Sequence, residues 1–470
     1  MERKTCLKEE RIMTNKSGMA AVSIILLILV IAIPGLIYYF FEWEKPQVRM
    51  DTDLATIGRQ KEVSITFTDR RSGIRDFTVV FVQQQSEFGV ASLDVPEKGV
   101  FEKTVNLEIA PKKLGLKDGD AVLRIQARDF SPLKNAAVLE VPVKIDSVVP
   151  RVSLLTRAHN VNPGGTSLAI YSVNKNVEQS GVACGDRFFR GHPVREGATT
   201  LYVCYFAVPL DVSRSTPMTV MVEDAAGNKA STAIPFYVRT AHRFRDDTVT
   251  VGPEFVNGKA AEFQQVDPDL EGRQPEEVFK YLNTSLREEN DRKIRSVCAV
   301  SDTKQLWQDT FIRMANTAPK ALFGDRRTYR YQGMDMGSSV HLGVDLASTM
   351  SDTVPAANGG IIVYADDLGI YGNTVIIDHG QGIFSLYAHL SSMAVSTGQQ
   401  VMRGDPIGNT GTTGFAGGDH LHFSVLVGGA FVNPIEWWDA HWIRDNVTSK
   451  LELIAGHEVS RAAAPLSGNL

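Results

Sequence analysis

The sequence predicts a mainly β protein: an N-terminal transmembrane helix, two β-sandwiches, a helical linker and a C-terminal antiparallel β domain. Three observations carry this. Gly18 to Phe41 is an uncharged, apolar run. Apolar runs of strand length, separated by turn residues, occur in two copies between 47 and 240. From 323 to 445 a glycine-rich strand pattern holds four histidines and an aspartate that could meet. At 470 residues, 43% hydrophobic and 22% charged, the chain suits about three globular domains with additions.

Residues 1–17 carry Arg3, Lys4, Lys8, Arg11 and Lys16 and read as a cytoplasmic tail. The run 18–41 would span about 36 Å as a helix, enough to cross a hydrocarbon core of about 30 Å. Tyr38, Tyr39, Phe40 and Trp43 lie where an aromatic belt belongs, and Glu42 and Glu44 follow. The rival is a buried soluble helix, against which the length of the run argues. A secretory signal has an apolar core of about 7–15 residues and an A-x-A-like site, neither of which occurs here. The expectation is therefore an uncleaved single-pass anchor in the inner membrane, with the bulk of the chain periplasmic.

Residues 47–147 contain strand-like runs at 62–69, 77–83, 100–109, 121–129 and 137–145. Residues 148–240 repeat the pattern: Ala127-Arg-Asp129 with Asn135 corresponds to Val222-Glu-Asp224 with Asn228, and Ser72-Gly-Ile to Ser180-Gly-Val. A repeat of about 95 residues fits an immunoglobulin-like module. Both segments resemble the Ig-like spacers of surface proteins, which implies reach or binding to cell-envelope proteins. The aspartates and asparagines at their strand ends read as turn formers. Cys184 and Cys204 fall within the second repeat, and an exported compartment would permit a bridge between them; buried free thiols are the alternative.

Residues 241–322 read as a helical linker. Pro275 opens a helix in the favoured N-terminal position, with Val278, Leu282 and Leu286 on one stripe. A second helix is expected over about 302–316, through Leu306, Trp307, Phe311 and Met314. The 446–470 tail is small and polar and is expected to be disordered.

Within 323–445, His341-Leu-Gly-Val-Asp345, Tyr387-Ala-His389-Leu and His420-Leu-His422-Phe423 supply zinc-type donors. A catalytic zinc takes three nitrogen or oxygen ligands and keeps one position open. His420 and His422 are two apart in a β-leaning run and so project onto one face. His341 and Asp345 are four apart, but Gly343 weakens a helix there, and a bend at Gly343 would bring them together. Any one of these histidines alone is more often a hydrogen-bonded surface side chain; their number within one pattern makes the joint case.

These motifs, in this order, resemble the LytM-type (M23, lysostaphin-like) zinc metallopeptidases that cleave peptides of bacterial peptidoglycan. The glycines of Gly372-Asn373, His379-Gly380, Gly398 to Gly404, Ile407-Gly408 and Gly411 to Gly414 match as well. The resemblance implies that His341, Asp345 and His422 hold one Zn²⁺, and that His389 and His420 line the catalytic water and the developing oxyanion. Members often carry Glu after H-L-H-F; Ser424 stands there, which bears only on a contact behind the ligands. No His-Glu-x-x-His occurs, so a histidine has to serve as the base or hold the oxyanion. His379 and His441 read as structural, as do Trp437, Trp438 and Trp442.

The net charge of −5 gives no sign of nucleic acid. From 333 to 445 there are eleven Asp and Glu against Arg403 and Arg444, a net of −9 that repels phosphate backbones. The expected activity is zinc endopeptidase action on peptidoglycan stem peptides or cross-bridges. The alternatives are a non-catalytic LytM-type regulator that activates a cell-wall amidase, and a sandwich adhesin that binds the wall.

Overall fold

The computed structural model describes residues 16–40, 42–52, 54–195, 199–239 and 244–454. Most of the expected cytoplasmic tail, and 455–470 of the expected disordered tail, lie outside the described residues. The fold is mainly β, in two compact units: the first runs up to Val148 and takes in Ala226–Asn228, and the second is formed by the remainder.

Lys16–Phe40 form a helix with Pro34 inside it. Its side chains are described only from 22 to 35, all of them exposed. Among the described residues no helix is long and apolar enough to cross a membrane.

In the first unit a three-stranded sheet (Gln47–Met50, Lys61–Thr68, Glu102–Ile109) accompanies a five-stranded one, ordered Thr56–Ile57, Ala136–Ile145, Gly119–Asp129, Ile74–Gln83 and Ser86–Asp94. Side chains alternate as period two requires: Val63, Ile65 and Phe67 meet Phe77, Val79, Phe81, Leu123 and Ile125 in one core. Phe67 stacks on Phe77 at 4.4 Å. The sequence reading missed the Ser86–Asp94 strand because its hairpin turn carries no Asn-Gly signal. Gln84 and Gln85 take positive φ of 50° and 68° instead, the conformation such a two-residue turn demands.

The second repeat forms two four-stranded sheets, ordered His192–Arg195, Thr200–Ala207, Thr166–Val173, Val152–Leu154 and Arg187–Arg190, Gln179–Cys184, Met218–Glu223, Lys229–Ala233. Thr166–Val173 and Thr200–Ala207 are buried on both faces. The C-terminal domain supplies the second cover: Tyr205 packs on Trp307 and Trp437, and the Trp437 indole donates to Thr166 Oγ1. The buried Glu436 carboxylate accepts from Asn162 Nδ2 and Thr166 N, each at 2.7 Å. One apolar core thus runs from the second sandwich into the C-terminal domain. Cutting the chain before Asp302 would strip Glu436 of both partners and bare Trp437. Cys184 and Cys204 are buried free thiols.

The linker departs from expectation in three places. Asp246–Thr250 is a strand, paired in parallel with Arg326–Tyr331. Pro253–Val266 is a helix the stripe pattern did not reveal, and the buried Lys259 ammonium on it donates to the carbonyls of Thr412 and Gly414. The helix expected at 302–316 is absent. Leu306 N donates to His379 O, Phe311 N to Trp437 O and Ile312 N to Ala357 O, so this backbone is satisfied by the C-terminal domain rather than by its own turns. The helix opened by Pro275 is present; it runs through a wide turn at Leu282–Leu286 into Arg287–Val297, with Val278 and Leu282 buried.

The C-terminal domain is built on an eight-stranded antiparallel sheet, together with a three-stranded sheet of Thr353–Pro355, Pro406–Asn409 and Ser392–Met393. The order in the larger sheet is Ala318–Ala321, Val344–Ala347, Leu421–Val427, Ile383–Ala388, Asn373–Asp378, Gly360–Asp367 and Gln400–Val401, with Ala430–Val432 beside Leu421–Val427. The chain beyond Asp445 stays helical to 454, correcting the expected disorder for that stretch. Val447, Leu451 and Ile454, at helical spacing, pack on the shared core.

Candidate metal centre

The sheet register assembles the centre. Asp345 on Val344–Ala347 pairs directly opposite His422 on Leu421–Val427, and His422 pairs on its other side with Ala388, the residue before His389. His341 follows the Met334–Val340 strand, and the chain turns through Leu342 and Gly343 to reach Asp345. Gly343 has to be glycine: a Cβ there would lie 2.6 Å from His422 Nε2, Phe423 O and Ser424 Oγ. The expected bend at Gly343 therefore carries a second requirement, close passage of backbone over the His422 ring.

His341 Nε2, Asp345 Oδ1 and His422 Nδ1 form a triangle with sides of 2.9, 2.9 and 3.1 Å. Three ligands of a tetrahedral zinc at 2.0–2.1 Å stand about 3.3 Å apart, so the triangle is close to one face of that tetrahedron. With both rings neutral, their protons point away from the triangle. His341 Nδ1 donates to Leu322 O, which leaves Nε2 bare. Ser424 Oγ donates to Leu342 O and therefore accepts from His422 Nε2, which leaves Nδ1 bare. Three lone pairs converge with no hydrogen among them, an arrangement that a cation stabilises. Arg327 takes the other Asp345 oxygen, Oδ2, at 3.3 Å. The residues present fit zinc.

Ser424, standing where the resemblance often has Glu, thus makes the contact behind the ligand itself. Beside the triangle, His389 Nδ1 donates to Thr413 O and His420 Nδ1 to Gly418 O, each at 2.8 Å. Their Nε2 atoms are left bare, and His420 Nε2 lies 3.5 Å from Asp345 Oδ1. The two rings lie 4.9 Å apart. His389 holds a positive φ of 63°, the kind of backbone strain that gathers at functional sites. All five expected residues line one cavity of about 140 Å³.

The electrostatics divide the histidines. Burial, reinforced by His420 and His422, pushes His389 well below its ordinary range, so it is a neutral acceptor at neutral pH. Burial likewise takes His422 down to about 4. His420 moves the other way: burial opposes its charge, but Asp345 outweighs burial. Burial would raise the Asp345 carboxyl, and the surrounding imidazoles, His341 foremost, hold it well below the usual range.

His379 and His441 stay out of the centre. His379 is fully buried, held by Gly359 O and Ser385 Oγ, and His441 is exposed. Trp437 is core and Trp438 stacks on Phe423. The sequence reading missed Arg327, Arg287 and Tyr371, which also line the cavity. Arg287 comes from the linker helix, and its buried Nε lacks a partner; nothing local in the sequence marks it.

Fold and centre together define a β domain with a His₂Asp group that could hold a metal ion, flanked by two histidines whose bare nitrogens face the same cavity. Residues 339–434 match Peptidase family M23, and the C-terminal domain is an M23-family domain. The DD-carboxypeptidase/endopeptidase Mpg of Neisseria meningitidis serogroup B is 40% identical over 96 residues, 20% of this chain and 22% of that protein. The peptidoglycan DD-endopeptidase ShyA of Vibrio cholerae is 38% identical over 96 residues, again 20% and 22%. The murein hydrolase activator EnvC of Escherichia coli is 35% identical over 109 residues, 23% of this chain and 26% of that protein. The chain thus spans only about a fifth to a quarter of the length of these relatives.

Proposed function

We propose that the protein is a membrane-anchored zinc endopeptidase that hydrolyses peptide bonds in peptidoglycan stem peptides or cross-bridges, with 18–41 in the inner membrane and the two sandwiches and catalytic domain in the periplasm. The observation that carries the reading is the complete five-residue centre, in which every histidine donates its proton backwards and offers its other nitrogen to the cavity. His341, Asp345 and His422 would hold the metal. A bound zinc supplies Lewis acidity, bringing a water's pKa to about 7 and polarising a carbonyl.

His389, neutral and fixed by Thr413, accepts the proton of the attacking water at Nε2. His420, kept protonatable by Asp345, donates toward the developing oxyanion. A cavity of about 140 Å³ is small beside the roughly 300–1,000 Å³ of ordinary ligand sites, so a peptide enters only if its walls part. Those walls include Arg287 of the linker and Phe415 to Gly417.

The similarity to EnvC and the narrow cavity support a second reading beside it, a non-catalytic activator of an amidase. The full-length protein in detergent is expected to hold one equivalent of zinc and to release muropeptides from isolated sacculi. A metal-free protein that cuts nothing but stimulates an amidase would establish the activator reading instead. A phosphatase reporter fused after Val149 is expected to be active; an inactive fusion, with full protection of the C-terminal domain from protease in spheroplasts, would overturn the proposed orientation.

A further inference from the structure

A second group of potential metal ligands lies in the first unit, remote in sequence from the zinc-type centre. Glu42, Asp69 and Asp129 each present a carboxylate oxygen within 4.8 Å of the others, and their residues are 5%, 4% and 0% exposed. The aspartates at these strand ends read as turn formers, and each does serve its turn. Asp69 Oδ1 accepts from the backbone nitrogens of Arg71, Ser72 and Gly73. Asp129 Oδ1 accepts from Ser131, and its Oδ2 from Asn135 Nδ2.

Glu42 has no such role. Both of its oxygens are buried and without a hydrogen-bond partner; burial pushes its carboxyl up and Asp69 and Asp129 add to this, while Ser72 and Arg71 oppose it. Burying like charges together is unfavourable unless a cation joins them.

The second sandwich supplies the comparison. Asp224 follows the Met218–Glu223 strand as Asp129 ends Gly119–Asp129. It is met at 2.6 Å by the ammonium of Lys175, from the turn after Thr166–Val173, just as Asp69 lies in the turn after Lys61–Thr68. Asp224 thus meets a lysine in one repeat, whereas Asp129 is joined by two further carboxylates in the other. We propose that Glu42, Asp69 and Asp129 bind a calcium ion. The donors are all oxygen, which selects a hard cation. The donor atoms all lie within 4.8 Å of one another, and three buried carboxylates suit calcium better than magnesium, which is usually held by one or two carboxylates and keeps several waters. Asn135, which also donates to the Glu42 carbonyl at 2.9 Å, holds the chain leaving the Lys16–Phe40 helix on the same two strand ends. The ion would pin residue 42 to the first sandwich.

The test uses the full-length, zinc-loaded protein in detergent, freed of calcium by dialysis and titrated with CaCl₂ or MgCl₂. About one calcium is expected to bind, in the range of roughly 10⁻⁴–10⁻³ M seen for extracellular calcium modules, and to raise the unfolding temperature by several degrees. Glu42→Gln and Asp129→Asn are expected to weaken calcium binding at least about tenfold, the effect of removing a charged ligand. Without calcium, Glu42→Gln should melt no lower than the wild type, because it removes a repelling charge; this separates a lost ligand from a misfolded variant. Equal calcium responses in wild type and Glu42→Gln would overturn the proposal. An equal response to magnesium would overturn the choice of calcium. Stabilisation by acidification from pH 7 to 5, with none by calcium, would show that a proton and not a metal neutralises the cluster.

Discussion

Asp345→Ala and His422→Ala are each expected to abolish zinc binding and hydrolysis together. Each removes one corner of a triangle whose sides are about 3 Å, and two remaining ligands do not hold a catalytic zinc. Gly343→Ala is expected to do the same while leaving every ligand in the sequence. Its methyl would sit 2.6 Å from His422 Nε2 and Ser424 Oγ, so either the ring or the strand has to move, and a ring displaced from Ser424 loses the contact that fixes its tautomer. Metal analysis of the purified variants, paired with muropeptide release, reads both properties. Stoichiometric zinc in Asp345→Ala would remove Asp345 from the ligand set. Full zinc and activity in Gly343→Ala would mean that the loop relaxes freely.

His389→Ala is expected to part the two properties. Zinc stays near one equivalent because His341, Asp345 and His422 are untouched. Hydrolysis falls by the roughly 10²–10⁴-fold that follows loss of an acid–base group. The division rests on geometry: His389 Nδ1 is committed to Thr413 O, and His389 lies outside the ligand triangle. Loss of zinc in this variant would make His389 a ligand and undo the separation of roles. The buried, neutral character of His389 also predicts that it works as a proton acceptor over the whole neutral range, since its folded-state pKa lies well below 6.5.

Much of this was legible from residue order. The alternation in Lys61–Thr68 and Ile74–Gln83 marks strands because a half-buried sheet needs period two, and the spacing of His420 and His422 places them on one face for the same reason. The candidate ligands, Asp345 and the four histidines, could be named because zinc-type donors are few and their glycine-rich setting is recognisable.

Elements whose backbone partners lie far away were not legible. The stretch 302–316 carries a helix-like apolar pattern, yet it runs irregularly because His379, Ala357 and Trp437 meet its backbone. The Ser86–Asp94 strand hides behind a Gln-Gln turn that only its partner strand enforces.

By itself, then, the sequence determined which residues can hold a metal and which segments alternate, since both follow from side-chain chemistry and local periodicity. The tertiary structure alone decided that Asp345 faces His422 across a ladder, that Ser424 and Leu322 turn two imidazoles toward one point, that Arg287 and Arg327 enter the cavity, and that Glu42 joins Asp69 and Asp129. Each of these depends on strand register or on contacts between residues distant in the chain, and neither is encoded in the spacing of neighbours.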